Sequence, residues 1–295
     1  MLNKLSVFVV VPCILLLSIL FALPCRAAEV VIVADTGLRP VAEIIAGIRK
    51  TLKVPVKIYA PADVVARLAT IVAREDAKVV VALGQRGLTE ALQLPPEIPV
   101  IFDLVVTPPA INRPNTTGFY LATPVREYAD LIRTHLHSIK QMAVVGSREK
   151  INLLAWGEQQ YSCSSYSVKD SVEFVNTVKH LDAADAILLL PDTSVLTSAA
   201  MNDAYLYSFR KGIPLLGISE RNVREGALVA LVVDMVNVGR MIGDYAAKAI
   251  NGANIGQVPP SPPRKFDLYL NTATASRMGI HIPGEMVRMA KRVYP

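Results

Sequence analysis

Val79-Val80-Val81-Ala82-Leu83-Gly84-Gln85-Arg86 decides the fold: five apolar residues in a row run into a glycine and two polar residues. A strand that is apolar at every position is covered on both faces, the condition of a parallel sheet sandwiched between helices. The same signature recurs in Val30–Ala34, Val100–Phe102, Met142–Gly146, Ala186–Leu190, Pro214–Ile218 and Leu228–Val233. Segments with a period near 3.6 lie between these runs. Tyr128, Leu131, Ile132, His135, Leu136 and Ile139 form one stripe, and Val238, Met241, Ile242, Tyr245, Ala246 and Ala249 another. Asp234 is placed to cap the second of these helices, and Gly239 and Gly243 are expected to let it lie close to its sheet. The β-α-β-α order predicts an α/β chain with doubly wound parallel sheets and right-handed crossovers.

The chain has 295 residues, 52% hydrophobic and 19% charged, enough apolar material for two cores and too much for a disordered chain. Composition shifts at Thr107–Thr117, Ser219–Gly226 and Gly252–Lys265, the last with prolines at 259, 260, 262 and 263. Three linkers predict two interleaved lobes joined by three hinge crossovers. The expected division places 29–118 and 220–252 in an N-terminal lobe, and 119–219 and 265–295 in a C-terminal lobe. Ahead of them, Lys4, the apolar run Val7–Leu23 and the exit Cys25-Arg26-Ala27-Ala28 read as a signal peptide over 1–28. Pro12, Pro24 and the small residues at its end favour cleavage over a retained anchor, and Pro24 is unsuited to lipidation of Cys25. Periplasmic localisation is the resulting expectation.

Several function classes are disfavoured. Cleavage would remove Lys4 and Arg26 and no acid, taking the net charge from +6 to +4. That excess is spread thinly, whereas a nucleic-acid protein shows a dense basic face. Cys163 would be the one cysteine left, and nothing near it marks a nucleophile. His135 and His137, two apart on a helix, face different sides and cannot share a metal, and no zinc spacing occurs. The chain lacks a G-x-S-x-G elbow, a Walker loop and G-x-G-x-x-G. These observations predict a protein without catalysis, metal or cofactor, and a monomer is the expectation.

In doubly wound sheets ligands lie beyond the carboxyl ends of the strands. That rule selects Asp35 and Thr36 after the first run, Gly84, Gln85 and Arg86 after Leu83, and Phe102 and Asp103 after Val100–Ile101. It also selects Asp192 and Thr193 after Leu190, and Ser219 and Glu220 after Ile218. Free N–H groups of the helix that starts at Gln85 are expected to suit a carboxylate. Asp35, Asp192 and Thr193 read equally well as helix caps, and Phe102 as a core residue. Loss of the Asp192 and Arg86 side chains is expected to weaken binding while leaving stability nearly intact.

Ile213-Pro214-Leu215-Leu216, Glu225-Gly226-Ala227-Leu228, Val233-Asp234, Gly239-Arg240 and Lys265–Asn271 follow one another in an order and spacing that resembles a known family. So do Ala275–Pro283, Arg113–Gly118 and Leu189–Thr193. The family is that of bacterial ABC-transporter substrate-binding proteins, whose better-known members bind aromatic amino acids. The resemblance implies the type I periplasmic-binding-protein fold and a small organic ligand, such as an amino acid, closed in an interlobe cleft and delivered to an ABC permease. An alternative use of the same fold is a sensory subunit that presents ligand to a receptor kinase or outer-membrane receptor. The chain departs from the family at Thr107-Pro108-Pro109, where an Asp-Pro pair is usual, and at Asp35–Pro40, which leads into a helix read as short.

Overall fold

The structure, a computed structural model, describes residues 29–106, 111, 113–154 and 163–295. The expected signal peptide and the Thr107-Pro108-Pro109 departure lie outside the described residues. The chain divides into two compact units. The first takes the chain up to Asp103, Ala110–Gly118 and Arg240–Pro259; the second takes Leu104–Pro109, Phe119–Gly239 and Pro260–Pro295.

The first sheet has five strands: β1 (Val30–Val33), β2 (Val56–Tyr59), β3 (Val79–Leu83), β4 (Val100–Val105) and β5 (Thr116–Tyr120). Their order is β2-β1-β3-β4-β5, and β1 is parallel to both neighbours, as is β3 to β4. β1 and β3 are buried at every residue, as their unbroken apolar runs require. The second sheet holds β6 (Met142–Ser147), β7 (Cys163–Val168), β8 (Ala186–Leu189), β9 (Leu215–Gly217), β10 (Val229–Val233), β11 (Phe266–Asn271) and β12 (Arg292–Tyr294). Their order is β12-β11-β10-β9-β8-β6-β7. Pairing is parallel except for β11, which runs antiparallel to β10.

Alternate residues of β6 and β8 enter different cores. Met142, Val144, Ala186, Leu188 and Leu190 pack with Tyr128, Ile132 and Leu136 on one face. Ala143, Val145, Ile187 and Leu189 pack with Phe174 and Val178 on the other. Burial of each such Leu, Ile or Val contributes about 1.5–3 kcal/mol, which is why a central strand covered on both sides tolerates no polar face.

Several expectations change. β2 and β7 escaped the apolar-run search because both are edge strands, with exposed Lys57 in one and exposed Ser164, Ser165 and Ser167 in the other. The helix after Asp35–Pro40 spans Arg39–Thr51, 13 residues, and is not short. Ser219–Gly226 is not a crossover: it holds the helix Glu220–Glu225, and β10 pairs with β9 and β11 in the second unit. Residues 220–239 therefore belong to the second unit, and the chain passes into the first inside the helix Met235–Ile250, between Gly239 and Arg240. The boundary between Pro259 and Pro260 does fall in the proline-rich third shift. Asp234 caps as expected, with its carboxylate accepting from Asn237 N at 2.9 Å. Gly243, however, brings its helix against another helix, since a Cβ there would meet Ile48 O at 3.1 Å.

Two polar clamps hold strands that apolar packing alone leaves loose. Edge strand β2 is pinned by Glu75, whose nearly buried carboxylate accepts from Lys57 Nζ, from Tyr59 OH at 2.7 Å and from Arg74 Nε at 3.2 Å. The hydrogen bond from Lys57, then that from Tyr59, hold its pKa at about 2 against the opposing pull of burial, from an ordinary 4.5. A depressed folded-state pKa stabilises the fold above the ordinary value, and that contribution disappears as pH falls from about 4.5 toward 2. Glu75→Gln will lower the melting temperature at neutral pH and flatten its fall between these limits, as thermal unfolding across pH will show.

The second clamp is Tyr128, fully buried in the second unit. Its hydroxyl donates to Gly217 O at the end of β9 and accepts from Leu231 N of β10 at 2.7 Å, filling the gap where the two strands part. Burial drives its pKa far up, so the phenol stays protonated. Tyr128→Phe keeps the ring but leaves both backbone groups unpaired, a loss of about 1–3 kcal/mol that urea unfolding will measure.

Candidate functional site

Strand order marks one crevice in each unit. In the first sheet β2 lies on one side of β1 and β3 on the other, so the chain reverses direction between β1 and β3. In the second sheet the reversal falls between β6 and β8. Loops at the carboxyl ends of strands diverge at such points and leave room for a ligand.

In the first unit, Asp35 and Thr36 follow β1 and are exposed. Asp35 Oδ1 accepts from Gly37 N at 3.0 Å, so the residue closes a tight turn and does not cap the helix, whose N-cap position is Leu38. Beyond β3, Gly84 has φ +92, which glycine adopts without strain, and its N–H donates to Asp103 O at 2.8 Å. A Cβ on Gly87 would lie 3.1 Å from Val33 O, so the helix Gln85–Ala91 starts hard against the end of β1. Gln85 and Arg86 are left exposed at the reversal, and among the described residues Arg86 has no ion pair or hydrogen bond from its side chain. The helix has seven residues. Phe102 and Asp103 are fully buried. The place expected for Phe102 in the site is therefore corrected: its ring is core, with Gly118 laid against it so closely that a Cβ would approach to 2.7 Å.

In the second unit, Asp192 lies at the reversal and is 6% exposed. It caps no helix; Thr197 does that for the helix Ser198–Lys211. Its Oδ2 accepts from Ser147 N at 3.2 Å, and its Oδ1 accepts from Ser194 N at 3.1 Å and Ser194 Oγ at 2.6 Å. One carboxylate thus ties the end of β6 to the loop after β8. Burial pushes its pKa up, but the hydrogen bonds from Ser147 and Ser194 outweigh that and leave it below the ordinary value. Thr193, beside it, is exposed.

Ser219 and Glu220 stand elsewhere on the same edge and are otherwise engaged. Ser219 Oγ accepts from Asn222 N at 3.2 Å and caps the helix Glu220–Glu225. Glu220 Oε1 accepts from Arg292 Nη1 at 3.0 Å and Tyr294 OH at 2.5 Å, tying that helix to edge strand β12. The expectation that Glu220 faces a ligand is corrected on that ground.

A cavity of about 550 Å³ opens over the ends of β6, β7 and β8, lined by Ser147, Arg148, Lys150, Ser167, Lys169 and Ser194 as well as Asp192. Apart from Asp192, sequence reasoning missed these residues. Applying the strand-end rule to Met142–Gly146 would have found Ser147 and Arg148, whereas Ser167 and Lys169 follow a strand with no apolar signature. Among the described residues no group of three or more His, Cys, Asp or Glu could hold a metal ion, and no helix is long and apolar enough to cross a membrane.

This fold, with strand-end crevices at the reversals, is that of a type I periplasmic binding protein. The sequence profile of the ABC transporter substrate binding protein family matches residues 59–294, and the chain belongs to that family. Solved structures agree on the fold. A conserved domain protein from Vibrio cholerae shares 19% identity at a TM-score of 0.59, over 91% of this chain and 100% of that one. A Streptococcus pneumonia domain crystallised with L-Trp shares 17% at 0.60, over 90% and 99%. A ligand-free, open substrate binding protein with adhesive properties from Clostridium difficile shares 15% at 0.70, over 90% and 99%. No protein of curated function matches the chain significantly in sequence.

The geometry alters the expectation for stability. Asp192→Ala strips partners from two backbone N–H groups and will cost about 1–3 kcal/mol in denaturant unfolding, while exposed Arg86→Ala will leave the unfolding midpoint within about 0.5 kcal/mol of the parent.

Proposed function

We propose that this chain is the solute receptor of a bacterial ABC importer, exported through its first 28 residues and working in the periplasm. It takes a small organic solute on its strand-end loops and presents it to a permease in the inner membrane. The family supports this role, and so does the crevice at the end of β6 and β8, where Asp192 holds two loops in place beside an open polar cavity. Amino acids are the first solutes to consider, because the pneumococcal structure holds L-Trp. The protein acts by binding alone: a solute shifts a conformational equilibrium by its difference in affinity for two forms, and no bond is made or broken.

The test is a thermal-shift screen of the mature protein against amino acids, organic acids, sugars and nucleosides, followed by calorimetry on hits. A solute at one hundred times its Kd stabilises the fold by about 2.7 kcal/mol, a readily measured rise in Tm. At least one class is expected to do so with 1:1 stoichiometry and to be recovered unchanged. A protein that no class stabilises, or that converts its ligand, contradicts the proposal.

A further inference from the structure

We propose that the second unit's crevice receives the anionic end of the solute, a carboxylate or phosphate group, on Arg148 and Lys169. The inference deepens the receptor reading and rests on it. Formal charge alone would not suggest it, since the cavity is lined by three cations and three acids. The difference lies in how each sign is already used.

Every acid of the lining is engaged within the unit. Asp192 accepts three hydrogen bonds from Ser147 and Ser194. Glu173 Oε2 accepts from Lys169 N at 2.8 Å, reaching back over the first turn of the helix Ser171–His180 that Asp170 caps. Glu149 is paired with Lys150 at 3.2 Å, which uses one of the three cations as well. Arg148 and Lys169 remain. Both are exposed, and among the described residues neither side chain has an ion pair or hydrogen bond. Arg148 follows β6 directly and Lys169 follows β7, and these strands are adjacent and parallel, with Ser147 paired to Val168. Register therefore brings the backbone positions of the two cations beside one another, and both side chains line the cavity. Ser167, one residue short of the end of β7, adds a hydroxyl to the same lining.

A guanidinium offers a planar fork of donors and an ammonium offers three, with no acceptor on either. Two such groups side by side repel one another until an acceptor-only group lies between them. A carboxylate or phosphate satisfies both, adding the attraction of opposite charges to hydrogen bonds that a sugar hydroxyl or an amide oxygen could also accept. The site thus selects acids over neutral solutes of the same shape.

The experiment titrates the mature protein with matched pairs: succinate and succinamide, phenylalanine and phenylalaninamide, glucose 6-phosphate and glucose, and inorganic phosphate alone. Parent, Arg148→Gln, Lys169→Gln and the double variant are compared; both positions are exposed, and their melting temperatures are recorded first to confirm folding. The acid of at least one pair will bind at least about 10-fold more tightly than its neutral partner. Each single substitution will weaken it about 10-fold, and raising salt will weaken it further. Preference for succinate or phenylalanine assigns a carboxylate; preference for glucose 6-phosphate, with binding of inorganic phosphate, assigns a phosphate. Neutral partners that bind as well as the acids, or a folded double variant with parental affinity for them, overturn the assignment while leaving the receptor reading intact. Absence of binding by every one of these solutes overturns the assignment and leaves the receptor reading to the wider screen.

Discussion

Asp192 is the point on which the strand-end loops of the second unit depend. Parallel strands end in loops that diverge at the β6–β8 reversal, and divergence opens a crevice but also removes the ladder that would hold its walls. A short buried carboxylate replaces the ladder, taking Ser147 N from one wall and Ser194 N and Oγ from the other. A charged acceptor bonded by dipoles costs little to bury only when its bonds are complete. Here they are numerous enough to hold its pKa below that of a free aspartate despite burial. The loops at this edge are therefore held in place by the protein itself, and a solute bound on them would cost less ordering entropy than one bound on loose loops.

The same logic of satisfied polar groups within an apolar frame recurs where the sheet is mechanically weakest. β9 has three residues and leaves β10 after two paired positions; Tyr128 bridges the opening with both functions of its hydroxyl. β2, at the edge of the other sheet, is tied by Lys57 and Tyr59 to Glu75. Glu220 performs the equivalent service for β12. β8 needs no such device, since Leu188 and Ile187 fill both cores.

How far the sequence discloses the molecule follows from this division. Unbroken apolar runs announced the central strands, because burial on both faces demands them. Edge strands β2 and β7 did not announce themselves, since half-exposed strands with Lys or Ser follow no apolar rule. The lobe to which β10 belongs was misread because an all-apolar strand fits either sheet, and its partner is settled by pairing rather than by its own residues. Of the site, strand-end position was legible and side-chain engagement was not. Asp192, Ser219 and Glu220 look alike in a sequence, as polar residues after apolar runs; one braces a crevice, one caps a helix and one holds the C-terminal strand. Ser147 and Arg148 were reachable by the same rule. Ser167 and Lys169 become visible once β7 is known to lie beside β6.

Solute binding at the carboxyl ends of β6, β7 and β8 is the central proposal. A crystal structure with a solute identified by screening tests that directly. It should show a polar group of the solute within about 3.2 Å of side chains that follow these three strands, with the bonds from Ser147 and Ser194 to Asp192 unchanged. A solute bound at the opposite, amino-terminal edge of the sheet, with the Asp192 crevice holding water alone, would contradict it.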